Sequence, residues 1–169
     1  MIGVRRAARW TVRAPRAADV PDLAATADEG FSGYHAFAPG SYVPPTPTET
    51  RETLADRLTL PGAFARCARD RRGPLGHVVA FPMPGEPGLQ HLFHLFLRER
   101  AQGTGLAAEL LELAVADATA AGAHTMRLFT PAGQARARAF YGREGFTLFS
   151  GPAWEPRLGM PIVELRRGL

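Results

Sequence analysis

Residues 98–114 read "RERAQGTGLAAELLELA". Two glycines, Gly103 and Gly105, stand directly before a leucine-rich run that carries no charge until Glu109. Glycine inside a helix costs about 1 kcal/mol against alanine, so glycines at a helix mouth need a reason. The run predicts a helix over about 105–121, stopped by Gly122. Just upstream, "LQHLFHLFL" (89–97) predicts a strand. Strand, tight glycine turn and helix together hold anions. The glycines let the backbone approach, the first-turn N–H groups lack partners, and the helix dipole favours negative charge. The two commonest phosphate motifs are nevertheless absent. A dinucleotide site needs a third glycine where Ala108 stands, and a P-loop needs a lysine, of which the chain has none.

Working outward, "WTVRA" (10–14) predicts a first strand and "DVPDLAATADEGF" (19–31) a helix. Asp19 caps that helix in this reading, Pro21 suits its first turn, and Val20, Leu23, Ala24, Ala27 and Phe31 share a face. "SGYHAFAPGSYVPPTP" (32–47) reads as an aromatic, Gly/Pro-rich loop, and "TETRETLADRLTL" (48–60) as a charged helix ending before Pro61. "AFARCARD" (63–70), "LGHVVAFP" (75–82) and 89–97 form three strands separated by turn residues, an antiparallel meander. After the 105–121 helix come a strand "HTMRLFT" (124–130), a helix "QARARAFYGRE" (134–144) stopped by Gly145, and strands "FTLFS" (146–150) and "PIVELR" (161–166). The order β-α-α-β-β-β-α-β-α-β-β implies one α+β domain over 1–169. Its central sheet is mixed, mostly antiparallel and flanked by helices, with residues 1–8 disordered ahead of it.

Composition narrows the function. With 169 residues, 46 % of them apolar, the chain has enough material for a real core. The pI near 10.2 comes from arginine alone, since all 20 basic residues are arginines, and they are spread along the chain. A nucleic-acid binder gathers cations into a patch with stacking aromatics, so no nucleic-acid partner is expected. The net charge of +4 mildly favours anionic ligands. The basic start "MIGVRRAARW" is followed by no apolar core, and no window nears the ~20 apolar residues of a spanning helix. The expectation is a cytoplasmic protein without a membrane partner. One cysteine, Cys67, excludes an intrachain disulfide and reads as a packing residue.

Read from Gln102, the opening stretch is Gln-Gly-Thr-Gly-Leu-Ala. It resembles the Q/R-x-x-G-x-G/A signature of the GNAT N-acetyltransferase superfamily. The preceding "HLFHLFLRERA" resembles that family's fourth strand and following loop. Downstream, "QARARAFYGREGFTL" resembles its second signature, N-x-x-A-x-x-F-Y-x-x-x-G-F, at Ala137, Phe140, Tyr141, Gly145 and Phe146. The likeness runs over about 9–167 and is strongest over 89–149. Two positions depart from it: Glu99 stands where proline is usual, and Gln134 where asparagine is.

The resemblance implies a GNAT fold with acetyl-coenzyme A between the fourth and fifth strands, and no metal. It implies that the backbone N–H groups of Gln102, Gly103, Thr104, Gly105, Leu106 and Ala107 cradle the pyrophosphate, with the Thr104 hydroxyl as a further donor. Leu95, Phe96 and Leu97 would lie along the pantetheine arm, Leu95 and Leu97 pairing with it by backbone, and Gln134 and Phe140 would border the cofactor. Tyr141 matches the family's usual general acid, protonating the leaving thiolate. For the amine's proton the resemblance points to His91, at a strand position where several members carry a base. Arylalkylamine acetyltransferases carry His-x-His there, and this chain has Phe93 in the second place. Histidine titrates near neutrality and needs little tuning for that work. Strand alternation puts His91, Phe93, Leu95 and Leu97 on one face and Gln90, Leu92, His94 and Phe96 on the other, which makes His94 structural. Phe31, Tyr34, Phe37 and Tyr42 from the early loop, with Trp154 from a late loop, would wall an aromatic acceptor pocket able to attract a cation. Asp28, Glu29 and Glu155 are acidic residues that could meet an amine.

The expected activity is transfer of acetyl from acetyl-CoA to a small-molecule primary amine, by direct attack in a ternary complex. Peptide or protein N-terminal acetylation is the second enzymatic reading, and a non-catalytic acyl-CoA-binding sensor or interaction module a third. A homodimer is left open.

Overall fold

The computed structural model describes residues 9–169. The expectation for residues 1–8 lies outside the described residues. The elements run β1 (Thr11–Arg13), α1 (Val20–Gly33), α2 (Pro47–Leu58), β2 (Phe64–Asp70), β3 (Gly73–Pro82), β4 (Leu89–Leu97), α3 (Leu106–Ala120), β5 (Thr125–Pro131), α4 (Ala135–Arg143), β6 (Thr147–Glu155) and β7 (Met160–Gly168). The strands form one seven-stranded sheet in the order β1-β2-β3-β4-β5-β7-β6. Only the β4–β5 pairing is parallel. The expected order and mixed, mostly antiparallel sheet are both present.

Local chemistry accounts for the element ends. Thr46 caps α2 through a reciprocal box: its hydroxyl accepts from the Glu49 N–H at 3.3 Å, and the Glu49 carboxylate accepts from the Thr46 N–H at 2.8 Å. Asp19 does not cap α1 with its side chain, contrary to expectation. Its carboxylate instead accepts from the Arg13 guanidinium at 2.7 and 2.8 Å and from the Arg16 N–H at 2.6 Å, tying β1 to the turn before α1. The Arg13 contact holds the Asp19 carboxyl well below the usual carboxylate range. β6 runs five residues beyond the expected strand, through "GPAWE". It is an edge strand with register shifts, where proline's missing N–H removes no needed ladder bond.

Each face of the sheet has its own helices. Leu106, Leu110 and Leu111 of α3 and Tyr141 of α4 pack on one face, against Val78, Ala80, Leu92, Met126, Leu128, Val163 and Leu165. Leu23 and Ala24 of α1 and Leu54 of α2 pack on the other, against Cys67 and Val79. Fully burying a leucine contributes about 1.5–3 kcal/mol, and α3 alone buries three.

The register corrects the expected faces of β4. Val79 pairs with His94 and Ala80 with Leu92, so Phe93 is an extra residue opposite nothing. This bulge inverts the alternation. Through their β3 partners His77, Val79 and Phe81, the residues Phe96, His94 and His91 share the α1/α2 face. Leu92, Leu95 and Leu97 share the α3 face, opposite Ala80, Val78 and Gly76. Gly30 of α1 permits the close approach, since a side chain there would run into the Phe96 ring.

Candidate active site

β4 and β5 pair over only three positions, Leu89–Thr125, Gln90–Met126 and His91–Arg127. From Leu128 onward β5 pairs only with β7, and from Leu92 onward β4 pairs only with β3. The facing strand edges separate, leaving a wedge whose β4 side offers unpaired backbone beside Leu95, Phe96 and Leu97.

The glycine turn lies at the end of this β4 edge. Gly103 and Gly105 have φ of 73° and 92°, the left-handed region that L side chains enter only with strain. Among the described residues, the N–H groups of Gly103, Thr104, Gly105, Ala107 and Ala108 have no protein acceptor. Three expected donors are committed elsewhere, the Leu106 N–H among them. The Gln102 N–H donates to the Glu99 carbonyl at 3.1 Å. The Thr104 hydroxyl donates to the Ala101 carbonyl at 2.6 Å and accepts from the Leu106 N–H at 3.5 Å. Thr104 therefore shapes the turn instead of adding a hydroxyl donor. Five N–H groups at the positive end of α3 have the chemistry to hold an anion.

α4 begins on the far side of the wedge. Arg136 donates to the Gln102 side-chain oxygen at 2.8 Å, spanning from α4 to the glycine turn. It was not anticipated, because nothing local in "QARARAF" distinguishes it from the other arginines. Gln134 accepts from the Thr130 hydroxyl at 3.1 Å, so its carbonyl is fixed and its NH2 group stays free. Tyr141 is the one buried residue of α4 and packs against Phe140 and Phe146, with ring centroids 5.2 and 5.6 Å away. Burial pushes its phenol above the ordinary tyrosine value, and its hydroxyl has no protein hydrogen bond among the described residues. Burial, followed by the phenols of Tyr141 and Tyr42, also raises Tyr34.

Four of the five expected pocket aromatics come together. Phe31 meets Tyr34 edge-on at 5.7 Å, and Tyr34 meets Phe37 at 5.4 Å and Tyr42 at 5.9 Å. Tyr42 is buried, and its hydroxyl donates to the Phe31 carbonyl at 2.7 Å. It anchors the loop, leaving Phe31, Tyr34 and Phe37 as the wall. Phe37 packs over Gly133, in the β5–α4 turn, and the Ser41 hydroxyl donates to the Gly159 carbonyl at 2.8 Å. The early loop thus spans from α1 to the β6–β7 hairpin. Trp154 does not join it. It stands in β6 opposite Pro161, not in a loop, is 58 % exposed, and makes none of these ring contacts. Of the acidic candidates, Glu29 is held by Arg98 and the Glu99 N–H, and Glu155 by the Arg157 N–H. Asp28 keeps one buried oxygen without a partner.

His91 sits among Phe81, Phe93 and Phe129, at 5.3, 6.3 and 5.7 Å. It does not titrate near neutrality as expected: burial first, then the positive charge of Arg127, pushes it down to about 4. The bulge brings a second imidazole to the same face. His94 stacks on Phe93 at 4.2 Å, and its Nδ1 lies 3.2 Å from Nε2 of His77. Sequence reasoning missed this pair because the bulge at Phe93 leaves no local signal. Among the described residues, no group of three or more His, Cys, Asp or Glu could hold a metal ion, and no helix is long and apolar enough to cross a membrane.

A model of the "Acetyltransferase (GNAT) family" matches residues 31–146. No curated protein matches the chain. Solved structures share its fold. The PaiA N-acetyltransferase from Thermoplasma acidophilum, in complex with coenzyme A, superposes with a TM-score of 0.74 at 15% identity, over 95% of this chain and 99% of that one. A GCN5-related N-acetyltransferase from Kribbella flavida gives 0.74 at 19% identity, over 95% and 98%. A ribosomal-protein-alanine N-acetyltransferase from Brucella melitensis gives 0.74 at 18% identity, over 94% and 99%.

Proposed function

The chain belongs to the GNAT acetyltransferase family, acetyl-CoA-dependent enzymes, and we propose that it acetylates the primary amine of a small molecule by direct attack. The observation that carries the reading is the wedge between β4 and β5 together with the unpartnered N–H groups at the mouth of α3. The free β4 edge beside Leu95–Leu97 suits an extended amide-bearing arm, which adds to the sheet as a strand would. The N–H groups of Gly103, Thr104, Gly105, Ala107 and Ala108 suit a pyrophosphate, and Leu106 fixes the helix behind them. Gln134 and Phe140, at the start and middle of α4, border the same wedge.

Tyr141 protonates the thiolate as it leaves. Burial keeps the phenol protonated, so it carries a proton to hydrogen-bond the sulfur as charge develops there. Sequence resemblance offers His91 for the amine's proton, and the bulge adds His94 on the same face. Phe31, Tyr34 and Phe37 wall the acceptor side, and the unpartnered oxygen of Asp28 is the acidic group left to meet a cation. A small molecule is favoured over a peptide because the early loop is tied down at Gly159 and packed on Gly133, covering the acceptor side. We assign the protein to the cytoplasm on its sequence.

The test is thiol release from acetyl-CoA across small amines and peptides. Release with small primary amines, and little with peptides, is expected. Release with peptides alone would replace the acceptor assignment, and acetyl-CoA binding without amine-dependent release would leave a sensor.

A further inference from the structure

We propose that His94 receives the proton released as the amine attacks, with His77 as its positioning residue. This rests on the acetyl-transfer reading above. The two imidazoles lie side by side on the α1/α2 face, 3.2 Å apart from Nε2 of His77 to Nδ1 of His94. They are 0 and 6 % exposed, and among the described residues neither ring hydrogen-bonds a charged group. One proton lies between them, and its owner fixes both tautomers. When His94 Nδ1 carries it, His77 Nε2 accepts, the single ring proton of His77 sits on Nδ1, and His94 Nε2 is left with a bare lone pair. His77 Nδ1 is sealed and partnerless, whereas His94 Nε2 is neither bonded to protein nor among the sealed nitrogens. His77 does here what an orienting group does for any catalytic imidazole: it holds one nitrogen so that the other points at the work.

The surroundings connect this nitrogen to the site. Phe31 stands edge-on to His94 at 6.1 Å, and Tyr34 follows at 5.7 Å. One wall of rings therefore runs from His94 through Phe31 and Tyr34 to Phe37, on the acceptor side. His94 is also on the free stretch of β4, three residues beyond its last pairing with β5. Burial, then the neighbouring His77 and His91 rings, push His94 well below the ordinary imidazole range, so it is neutral and its claim rests on the set tautomer and the open Nε2. His91 Nδ1 is buried without a partner, and burial and Arg127 push that ring down as well.

The step balances. The amine nitrogen bonds to the thioester carbonyl carbon and the carbon–sulfur bond breaks. The nitrogen's proton passes to His94 Nε2, and the Tyr141 proton passes to the departing sulfur. The imidazolium then returns a proton to the phenolate through solvent, leaving amide and free thiol.

Long-range proton–nitrogen NMR of the wild-type protein reads the tautomers without any acceptor. Both rings are expected as Nδ1–H, and an Nε2–H signal on His94 overturns the proposal. With acetyl-CoA and phenethylamine as probe, His94→Gln is expected to lower kcat about 100-fold with the acetyl-CoA KM unchanged. A larger loss from His91→Gln than from His94→Gln overturns it. His77→Leu should lower kcat and scatter the His94 tautomer. His77→Gln, whose side-chain oxygen can still accept from Nδ1–H, should restore both relative to His77→Leu. Wild-type kcat in His77→Leu removes the positioning role. Absence of release with every amine sinks the acetyl-transfer reading instead, and the tautomer measurement separates the two failures.

Discussion

The two faces of β4 differ in kind. Toward α3 the strand shows Leu92, Leu95 and Leu97, packed on leucines, with Gln90 at its start as the buried polar side chain. Toward α1 and α2 it shows His91, His94 and Phe96, with Phe93 bulged between them and His77 behind. The first face stabilises the fold and fixes where α3 starts. The second buries imidazole nitrogens, two of them without partners, at a cost in stability that a purely structural face would avoid. Unsatisfied buried groups beside an unpaired strand edge are what a reaction site tolerates and a core does not.

Substitutions should separate the faces. The largest effect belongs to the aliphatic side: Leu110→Ala should destabilise by about 2–5 kcal/mol in urea unfolding, equally at pH 7 and pH 5. A loss under 1 kcal/mol would mean that α3 does not anchor the core. Next, Tyr141→Phe should lower kcat about 100-fold while acetyl-CoA affinity and urea midpoint stay near wild type. Unchanged turnover would remove Tyr141 from the chemistry.

The histidine face should reveal itself through acid. Burial lowers His77 to about 3 and His91 to about 4, below the ordinary 6.5. The unfolded chain therefore binds more protons than the folded one between those values. Stability should fall as pH drops from about 6.5 toward 4, by at most about 1.4 kcal/mol per pH unit for each histidine. His77→Gln should flatten that slope, whereas Leu110→Ala should shift the curve in parallel, and identical slopes would erase the distinction. The smallest effect lies at the turn. Gly105→Ala forces a side chain into φ near 92°, costing about 1–2 kcal/mol, and should weaken acetyl-CoA binding roughly fivefold by calorimetry. Wild-type affinity would remove the turn from the cofactor site.

What was legible and what was not divides along the same strand. β4 itself, the helix after Gly105 and the Phe140–Tyr141 element could be read because their signals are local: apolar periodicity, turn glycines and short motifs. Alternation along "LQHLFHLFL" has the right period but assumes an unbroken ladder. One extra residue at Phe93 exchanges the faces of everything after it, so His94 lies on the face of His91 and not opposite it. Trp154 was misplaced for a related reason: Gly151 and Pro152 look like an end to β6, but an edge strand tolerates both. Thr104 looked like a free donor because no motif indicates that its hydroxyl reaches back to Ala101.

The sequence by itself determined the element order, the α+β class and an anion-binding helix mouth, because these follow from backbone torsions and from contacts a few residues apart. Only the tertiary structure decided which imidazoles share a face, which rings gather into a wall, and that Arg136 reaches Gln102 across the wedge. Those depend on register and helix packing between residues far apart in the chain. A one-residue slip costs little locally, yet it changes every side chain's neighbours.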